Sequence, residues 1–231
     1  MSDGAGAPPS EGGTDGTEVT VVIPCRNEVG SLPGVLAAMP DGYRALVVDN
    51  GSEDGTASLA RELGAAVVTE PVPGYGSAVQ RGVESVTTPI VCVLDGDGSL
   101  DPAELPGLVA LLRSGADLAV GRRVPVPGAG WPLHARAGNA VVAARLRQRF
   151  GLPVHDIGAV RAARVSTLLD LEVEDSRSGY PLELLVRAGR AGLRVEELPV
   201  SYRPRTAGRS KVSGSVLGSA VATWDFLKVI R

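Results

Sequence analysis

Three carboxylates stand close together behind an apolar run: Asp95, Asp97 and Asp101 follow Ile90-Val-Cys-Val-Leu94. Pro89 on one side and Gly96 and Gly98 on the other bound that run, the pattern of a short buried strand. Pro102 then begins a helix, at a first-turn position that proline favours. In an open α/β sheet the ligand crevice lies beyond the carboxyl ends of the strands. Two carboxylates one residue apart at such a tip suit Mg2+ or Mn2+, hard cations that take oxygen ligands and leave positions for phosphate. An isolated Asp-x-Asp also arises as an ordinary turn in which Asp95 is a cap, so the elements around it must decide.

Those elements alternate. Val19 to Ile23 reads as a first strand ending at Pro24-Cys-Arg-Asn-Glu28, followed by a helix from about Ser31 to Met39. Ala45 to Val48 is a second strand that runs into Asp49-Asn-Gly-Ser-Glu-Asp-Gly55, where Asp54 or Thr56 can cap the next helix. Ala65 to Val68 is a third strand, and Gly74-Tyr-Gly76 opens a helix to about Val86. Short strands separated by helices predict an α/β fold, a mostly parallel sheet covered by helices. Arg26 and Glu28, then Asp49, then Asp95 and Asp97 fall at strand ends on one sheet edge, so they converge on one nucleotide-sized crevice. A dinucleotide-binding oxidoreductase needs G-x-G-x-x-G after the first strand, where this chain has Pro-Cys-Arg-Asn-Glu, and a P-loop is missing as well.

The whole chain has 231 residues, enough for one ordinary domain with a substantial core. A net charge of −3 and an aromatic content of 3% argue against nucleic acid as a partner. Cys25 and Cys92 both lie in or beside apolar strands and read as inert packing residues. Residues 1–17 are rich in Gly, Pro, Ser and acid, and read as a disordered tail without the apolar run of a signal peptide. With no apolar stretch of membrane-spanning length, the expectation is a protein of the cytoplasm or the inner membrane face.

Five segments in order now carry a resemblance: Val21-Val-Ile-Pro-Cys-Arg-Asn-Glu28, Val47-Val-Asp-Asn-Gly-Ser-Glu-Asp-Gly-Thr56, Gly74-Tyr-Gly76, Leu94-Asp-Gly-Asp-Gly-Ser-Leu-Asp-Pro102 and Gly208-Arg-Ser-Lys-Val-Ser-Gly214. Together they resemble glycosyltransferase family 2, in its dolichol-phosphate mannosyltransferase-like, polyprenyl-phosphate branch. The resemblance implies a GT-A fold, a nucleotide-diphosphate-sugar donor, a divalent metal and inversion at the anomeric carbon. It implies that Pro24, Arg26, Glu28, Asp49, Gly74 and Asp95 contact the donor nucleotide, and that Asp95 and Asp97 hold metal and diphosphate. The chain departs from the family pattern at Asn50, where a second acid is usual, and at Ser99 and Leu100, where relatives carry Gln-His. Asp101 is then a possible stand-in for the third metal ligand. A nucleotidyltransferase of the same fold would show a Gly-rich loop with arginine after the first strand, which Pro24 to Glu28 is not.

Residues 18–101 read as the donor half and 102–212 as the acceptor half of a single domain, with a C-terminal helix over 213–231. Between Leu118 and His155 there is no acidic residue but six arginines: 122, 123, 136, 145, 147 and 149. Arg145, Arg147 and Arg149 read as a solvated helix face. Arg122, Arg123 and Arg136 flank a Gly/Pro-rich loop, residues 124–132, that reads as an acceptor lid in which Trp131 and His134 either contact acceptor or pin the loop. Asp156-Ile-Gly158 with Arg161 and Gly179-Tyr-Pro-Leu-Glu183 resemble two further family segments, so Asp156 and Glu183 are the candidate catalytic bases for a hydroxyl acceptor. An already ionised phosphate acceptor would need neither. Arg122, Arg136, Arg209, Ser210 and Lys211 are the candidate acceptor-phosphate ligands, and a polyprenyl phosphate or other anionic acceptor is the expectation. The alternatives are a soluble hydroxyl acceptor or a catalytically inactive nucleotide-sugar-binding module. On the C-terminal helix, Leu217, Val221, Trp224 and Lys228 fall on one face, which packs on the domain or touches a membrane surface.

Overall fold

In a computed structural model, residues 18–129, 131–158 and 160–206 are described. The expected tail over 1–17 and helix over 213–231 lie outside them. The chain runs β1 (Val19–Cys25), α1 (Leu32–Ala37), β2 (Tyr43–Asp49), α2 (Thr56–Glu62), β3 (Ala66–Thr69), α3 (Tyr75–Glu84) and β4 (Ile90–Val93). A single 3-10 turn at Pro102–Glu104 leads into α4 (Leu105–Arg113), β5 (Leu118–Pro125), α5 (Leu133–Phe150), β6 (Arg161–Arg164), α6 (Val165–Asp170), α7 (Tyr180–Arg190) and β7 (Val195–Tyr202).

These strands form one sheet in the order β3-β2-β1-β4-β6-β5-β7. All pairings are parallel except those of β6, which lies antiparallel to both β4 and β5. The α/β reading with a mostly parallel sheet therefore holds. Along β1 alternate residues go to opposite faces, and both are covered: Val21, Ile23 and Cys25 meet Leu32, Leu105 and Leu108 of α1 and α4, while Val22 meets Val79 and Val83 of α3. The one polar intrusion, Thr20, is satisfied by the Thr88 hydroxyl at 2.9 Å. Cys25 and Cys92 are free and buried, and burial pushes the Cys92 thiol up to about 12, so neither thiolate is available at neutral pH.

Three local readings need correction. The helix expected from Pro102 starts as a 3-10 turn because Pro106 resets the first turn of α4. The long lid loop is shorter than the sequence suggests: β5 continues to Pro125 because it pairs with β7 as far as Tyr202. Arg147 is not on a solvated face, since its Nη1 donates to the Val154 carbonyl at 2.6 Å and ties α5 to the following loop. No helix among the described residues is long and apolar enough to cross a membrane.

Helix α3 lies so close to the sheet that a Cβ on Gly82 would stand 2.3 Å from Val22 Cγ1 and 3.0 Å from Val48 Cγ2. Gly82→Ala should therefore destabilise the fold by about 1–3 kcal/mol through overpacking, outweighing the gain of about 1 kcal/mol in helix propensity. Urea denaturation checks the sign: a more stable variant would show that α3 can lift without cost.

Candidate active site

Because β2, β1 and β4 are neighbours and parallel, their carboxyl ends bring Arg26 and Glu28, Asp49, and Asp95 with Asp97 to one sheet edge. The loops after β1 and β2 are stitched together. Asn27 takes a left-handed backbone, φ 57°, which asparagine tolerates. Its N–H donates to Ser52 Oγ at 3.0 Å and its Oδ1 accepts from the Glu53 N–H at 2.8 Å. The Glu28 N–H donates to Thr56 Oγ1 and the Val29 N–H to Asp54 Oδ2. Ser31 Oγ reaches the Gly96 carbonyl at 2.8 Å, joining this segment to the Asp-x-Asp loop. Asp49 is buried at the end of β2 and accepts from the Ser52 N–H at 3.3 Å.

Asn50, the departure from the usual second acid, has a physical reason. Its Nδ2 donates to the carbonyls of Glu70 and Val72 at 2.9 and 2.8 Å, and its Oδ1 accepts from the Gly74 N–H at 2.8 Å. An aspartate would face two carbonyl oxygens with no hydrogen to offer. Asn50 thus holds the turn into Gly74-Tyr75-Gly76, and that turn is pressed against the 175–177 backbone. A Cβ on Gly74 would stand 2.0 Å from the Ser176 carbonyl oxygen, and one on Gly76 would stand 1.9 Å from that of Asp175. Close packing is therefore sufficient reason for glycine at 74.

Asp95 is half-buried, its Oδ1 is shut off from solvent with no hydrogen-bond partner among the described residues, and its carboxyl is pushed up to about 6. Burial is the main cause and the neighbouring Asp97 adds to it, against the opposing pull of Arg161, Arg123 and Arg205. Asp97 is 4% exposed. Its Oδ1 accepts from the Ser99 N–H at 2.9 Å and its Oδ2 pairs with Arg205 at 3.0 Å. The strand-end segment after β7 lies over this loop, since the Arg203 N–H donates to the Ser99 carbonyl and the Thr206 N–H to that of Asp97. Arg205 is thus an internal cation on the carboxylate expected to meet a metal. Asp101, the possible stand-in for a third ligand, is engaged in the same way as Asp97: its Oδ1 caps the Ala103 N–H at 3.0 Å and its Oδ2 pairs with Arg203 at 3.0 Å. No group of three or more His, Cys, Asp or Glu residues that could hold a metal occurs among the described residues. A half-buried carboxylate with an unpartnered oxygen, next to a second carboxylate, fits Mg2+ or Mn2+ whose remaining positions go to water and phosphate.

In the half expected to bind acceptor, the arginines among the described residues are mostly engaged. Asp156 is 1% exposed and takes a two-pronged hold from Arg123, Nε at 2.8 Å and Nη2 at 2.7 Å, with the Arg123 and Gly158 N–H groups adding bonds. Burial works to raise its carboxyl, but these bonds hold it below the ordinary carboxylate range. Glu183 accepts from the Glu174 and Asp175 N–H groups and from Arg187 Nε at 2.6 Å, and is likewise held low against the effect of burial. These commitments count against Asp156 and Glu183 as bases: all four acceptor positions of Asp156 are taken, Glu183 keeps one on Oε2, and a depressed pKa makes either a weak base.

Trp131 is pinned, with Arg123 4.3 Å and Arg136 5.9 Å from its ring and Tyr202 beside it at 5.4 Å. Arg122 lies 3.7 Å from Glu197 and its Nε has no hydrogen bond among the described residues. Glu197 of β7 turns inward to accept from the His155 and Asp156 N–H groups. A cavity of about 750 Å3 beside β7, lined by Phe150, Leu152, His155 and Pro199, includes Arg122 but none of the Asp-x-Asp loop. Arg209, Ser210 and Lys211 lie outside the described residues. Arg205, Arg161, Tyr75 and Tyr180 are site neighbours to which sequence reasoning gave no role, although Arg161 and both tyrosines stand in family-like segments. The two arginines sit in cationic or strand-like runs, and the tyrosines look like core.

Asn50→Asp should destabilise the fold by about 1–3 kcal/mol, the cost of an unmade buried hydrogen bond, and lower the thermal midpoint. An unchanged midpoint by calorimetry would mean the 70–74 turn does not depend on this amide.

The profile of Glycosyl transferase family 2 matches residues 20–168. An uncharacterized glycosyltransferase of Mycobacterium tuberculosis is 64% identical over 93% of this chain and 99% of its own length. A polyprenol monophosphomannose synthase of Mycolicibacterium smegmatis is 34% identical over 88% of this chain and 85% of its own. Among solved structures, glucosyl-3-phosphoglycerate synthase of M. tuberculosis, crystallised with Mn2+, uridine diphosphate and glucosyl-3-phosphoglycerate, aligns with a TM-score of 0.72 at 26% identity, covering 93% of this chain and 80% of that one. With the sheet and the aspartate-bearing edge it presents, these likenesses place the chain in glycosyl transferase family 2, as a glycosyltransferase of GT-A fold akin to the polyprenyl-phosphate branch.

Proposed function

We propose that the chain transfers a sugar from a nucleoside-diphosphate donor to the phosphate of a polyprenyl phosphate, with inversion at the anomeric carbon. Asp95 and Asp97 would hold Mg2+ or Mn2+ with the donor diphosphate, while Pro24, Arg26, Glu28 and Asp49 flank the nucleoside. When bound, the cation neutralises charge growing on the departing diphosphate. Arg122 and Arg136, with Arg209, Ser210 and Lys211 from the following segment, would receive the acceptor phosphate. The attacking atom is an acceptor oxygen that displaces the diphosphate in line.

The observation that carries this acceptor is the state of Asp156 and Glu183. Both are neutralised by arginine and turned to backbone N–H groups. An acceptor that needs deprotonation finds no free base there, whereas a phosphate is already ionised near neutral pH. The names of the relatives point the same way, since the M. smegmatis protein is a polyprenol monophosphomannose synthase and one in Micrococcus luteus, 32% identical, is an undecaprenyl-phosphate mannosyltransferase. Leu133 at 77% and Val141 at 52% exposure on α5, beside Arg136, support contact with the inner membrane surface where such a lipid resides. A soluble phosphorylated acceptor is the second reading, favoured by the bound product of the solved M. tuberculosis synthase.

The full chain, incubated with Mn2+, labelled UDP- and GDP-sugars and undecaprenyl or dolichyl phosphate, should move label into the lipid phase. Asp97→Ala should lower that rate roughly a hundredfold or more. An unchanged rate in Asp97→Ala would overturn the enzymatic reading of this site, and label carried only by soluble acceptors would remove the lipid. Proton and cation compete for Asp95, whose carboxyl is pushed up to about 6. Mn2+ uptake measured by calorimetry should therefore fall as pH drops through 6 and hold steady above 7, and a flat profile from 5 to 8 would contradict it.

A further inference from the structure

Beneath the tip of β4 is a group of buried polar atoms of which the proposed reaction uses only the Asp95 carboxylate. Arg161 begins β6, directly across from Val93 of β4 and Val120 of β5, and is 2% exposed. Its Nη2 donates to the Gly158 carbonyl at 2.9 Å, but its Nε and Nη1 have no hydrogen-bond partner among the described residues. Three further buried atoms are left the same way: Asp95 Oδ1, the Tyr75 hydroxyl and the Tyr180 hydroxyl. The two tyrosine rings meet edge to face with centroids 6.5 Å apart, and the guanidinium stands 5.9 Å from the Tyr180 ring.

Strand periodicity puts Asp95 on the same side as this group. Val93 faces the layer that contains Tyr75 and Tyr180, and Leu94, whose N–H still pairs with the Val22 carbonyl, faces the opposite layer. The next side chain returns to the Val93 side. A buried guanidinium is tolerated only with a compensating anion, and Asp95 is the half-buried carboxylate on which Arg161 acts. An arginine kept only for packing would have its N–H groups on backbone carbonyls; two of these are instead uncommitted, on the side of the sheet that holds an uncommitted carboxylate oxygen.

We infer that Arg161 is a positioning residue for Asp95. Its guanidinium, with the Tyr75 and Tyr180 hydroxyls, fixes the inner side of that carboxylate directly or through a bound water, and so sets how tightly the Asp95–Asp97 pair grips a divalent cation with a nucleoside diphosphate. This rests on the metal reading of the Asp95–Asp97 tip.

The test is Mn2+ binding, read from the electron paramagnetic resonance signal of free Mn2+ in the presence of UDP or GDP, on the full chain. Wild type should bind and Asp97→Ala should not; if wild type fails to bind, or both bind alike, the metal reading falls and Arg161's role with it. Given that difference, Arg161→Met should weaken Mn2+ binding about 10- to 100-fold, the range for supporting residues around metal ligands. Arg161→Lys should recover most of the loss, and Tyr75→Phe should weaken binding several-fold with thermal unfolding unchanged. Wild-type affinity in both Arg161→Met and Tyr75→Phe would overturn the assignment while leaving the metal site standing. If Arg161→Met does not fold, Arg161→Lys and Tyr75→Phe decide: wild-type affinity in both overturns it, and weakening in either sustains it.

Discussion

Two negative charges one residue apart, at the end of a buried strand, are an electrostatic liability that the surrounding structure is built to contain. Asp95 has given up much of its water and Asp97 sits beside it, and both effects disfavour ionisation of Asp95. Containment comes from three directions: Arg161 from inside the sheet, Arg123 from the acceptor half, and Arg205 from the segment after β7. None of the three is a lysine, and lysine occurs only at 211 and 228. Guanidinium groups stay charged at any physiological pH, so this compensation does not fade as conditions change.

That constraint joins the two halves of the chain. Arg123 neutralises Asp156 and covers Trp131 while its field reaches Asp95, so a residue of the acceptor half helps stabilise the donor edge. Glu183 acts similarly through the backbone: it anchors Glu174 and Asp175, whose neighbours Ser176 and Arg177 receive the Gly-Tyr-Gly turn. Asp156 and Glu183, which look like free acids in one dimension, are in three dimensions tied to Arg123 and to the 174–175 backbone.

Much of this was legible in the sequence for a physical reason. A parallel sheet buried on both faces writes itself as runs such as Val19-Thr-Val-Val-Ile23 and Ile90 to Leu94, and polar residues that break those runs mark the functional edge. Strand β6 was not legible, because Arg-Ala-Ala-Arg has neither the length nor the branched residues of a strand; pairing on both sides makes it one. Ion pairs were not legible either. Arg205 to Asp97 spans more than a hundred positions, and nothing local distinguishes an arginine that neutralises a site from one dissolved at the surface. Asn50 shows the converse: its difference from the family pattern was visible, but only the three hydrogen bonds explain it.

The reversed direction of β6 has its own consequence. Its neighbours β4 and β5 deliver their last residues to the aspartate-bearing edge, but an antiparallel strand delivers its first. The chemistry around Asp156, Gly158 and Arg161 therefore arrives as the lead-in to a strand, and Arg161 ↔ Val93 is the first rung of that pairing. Because side chains alternate with every step, a single inserted or deleted residue in this approach would send the guanidinium to the other layer of the sheet. The length of a few connecting residues thus decides on which side of the molecule a permanent positive charge is stored.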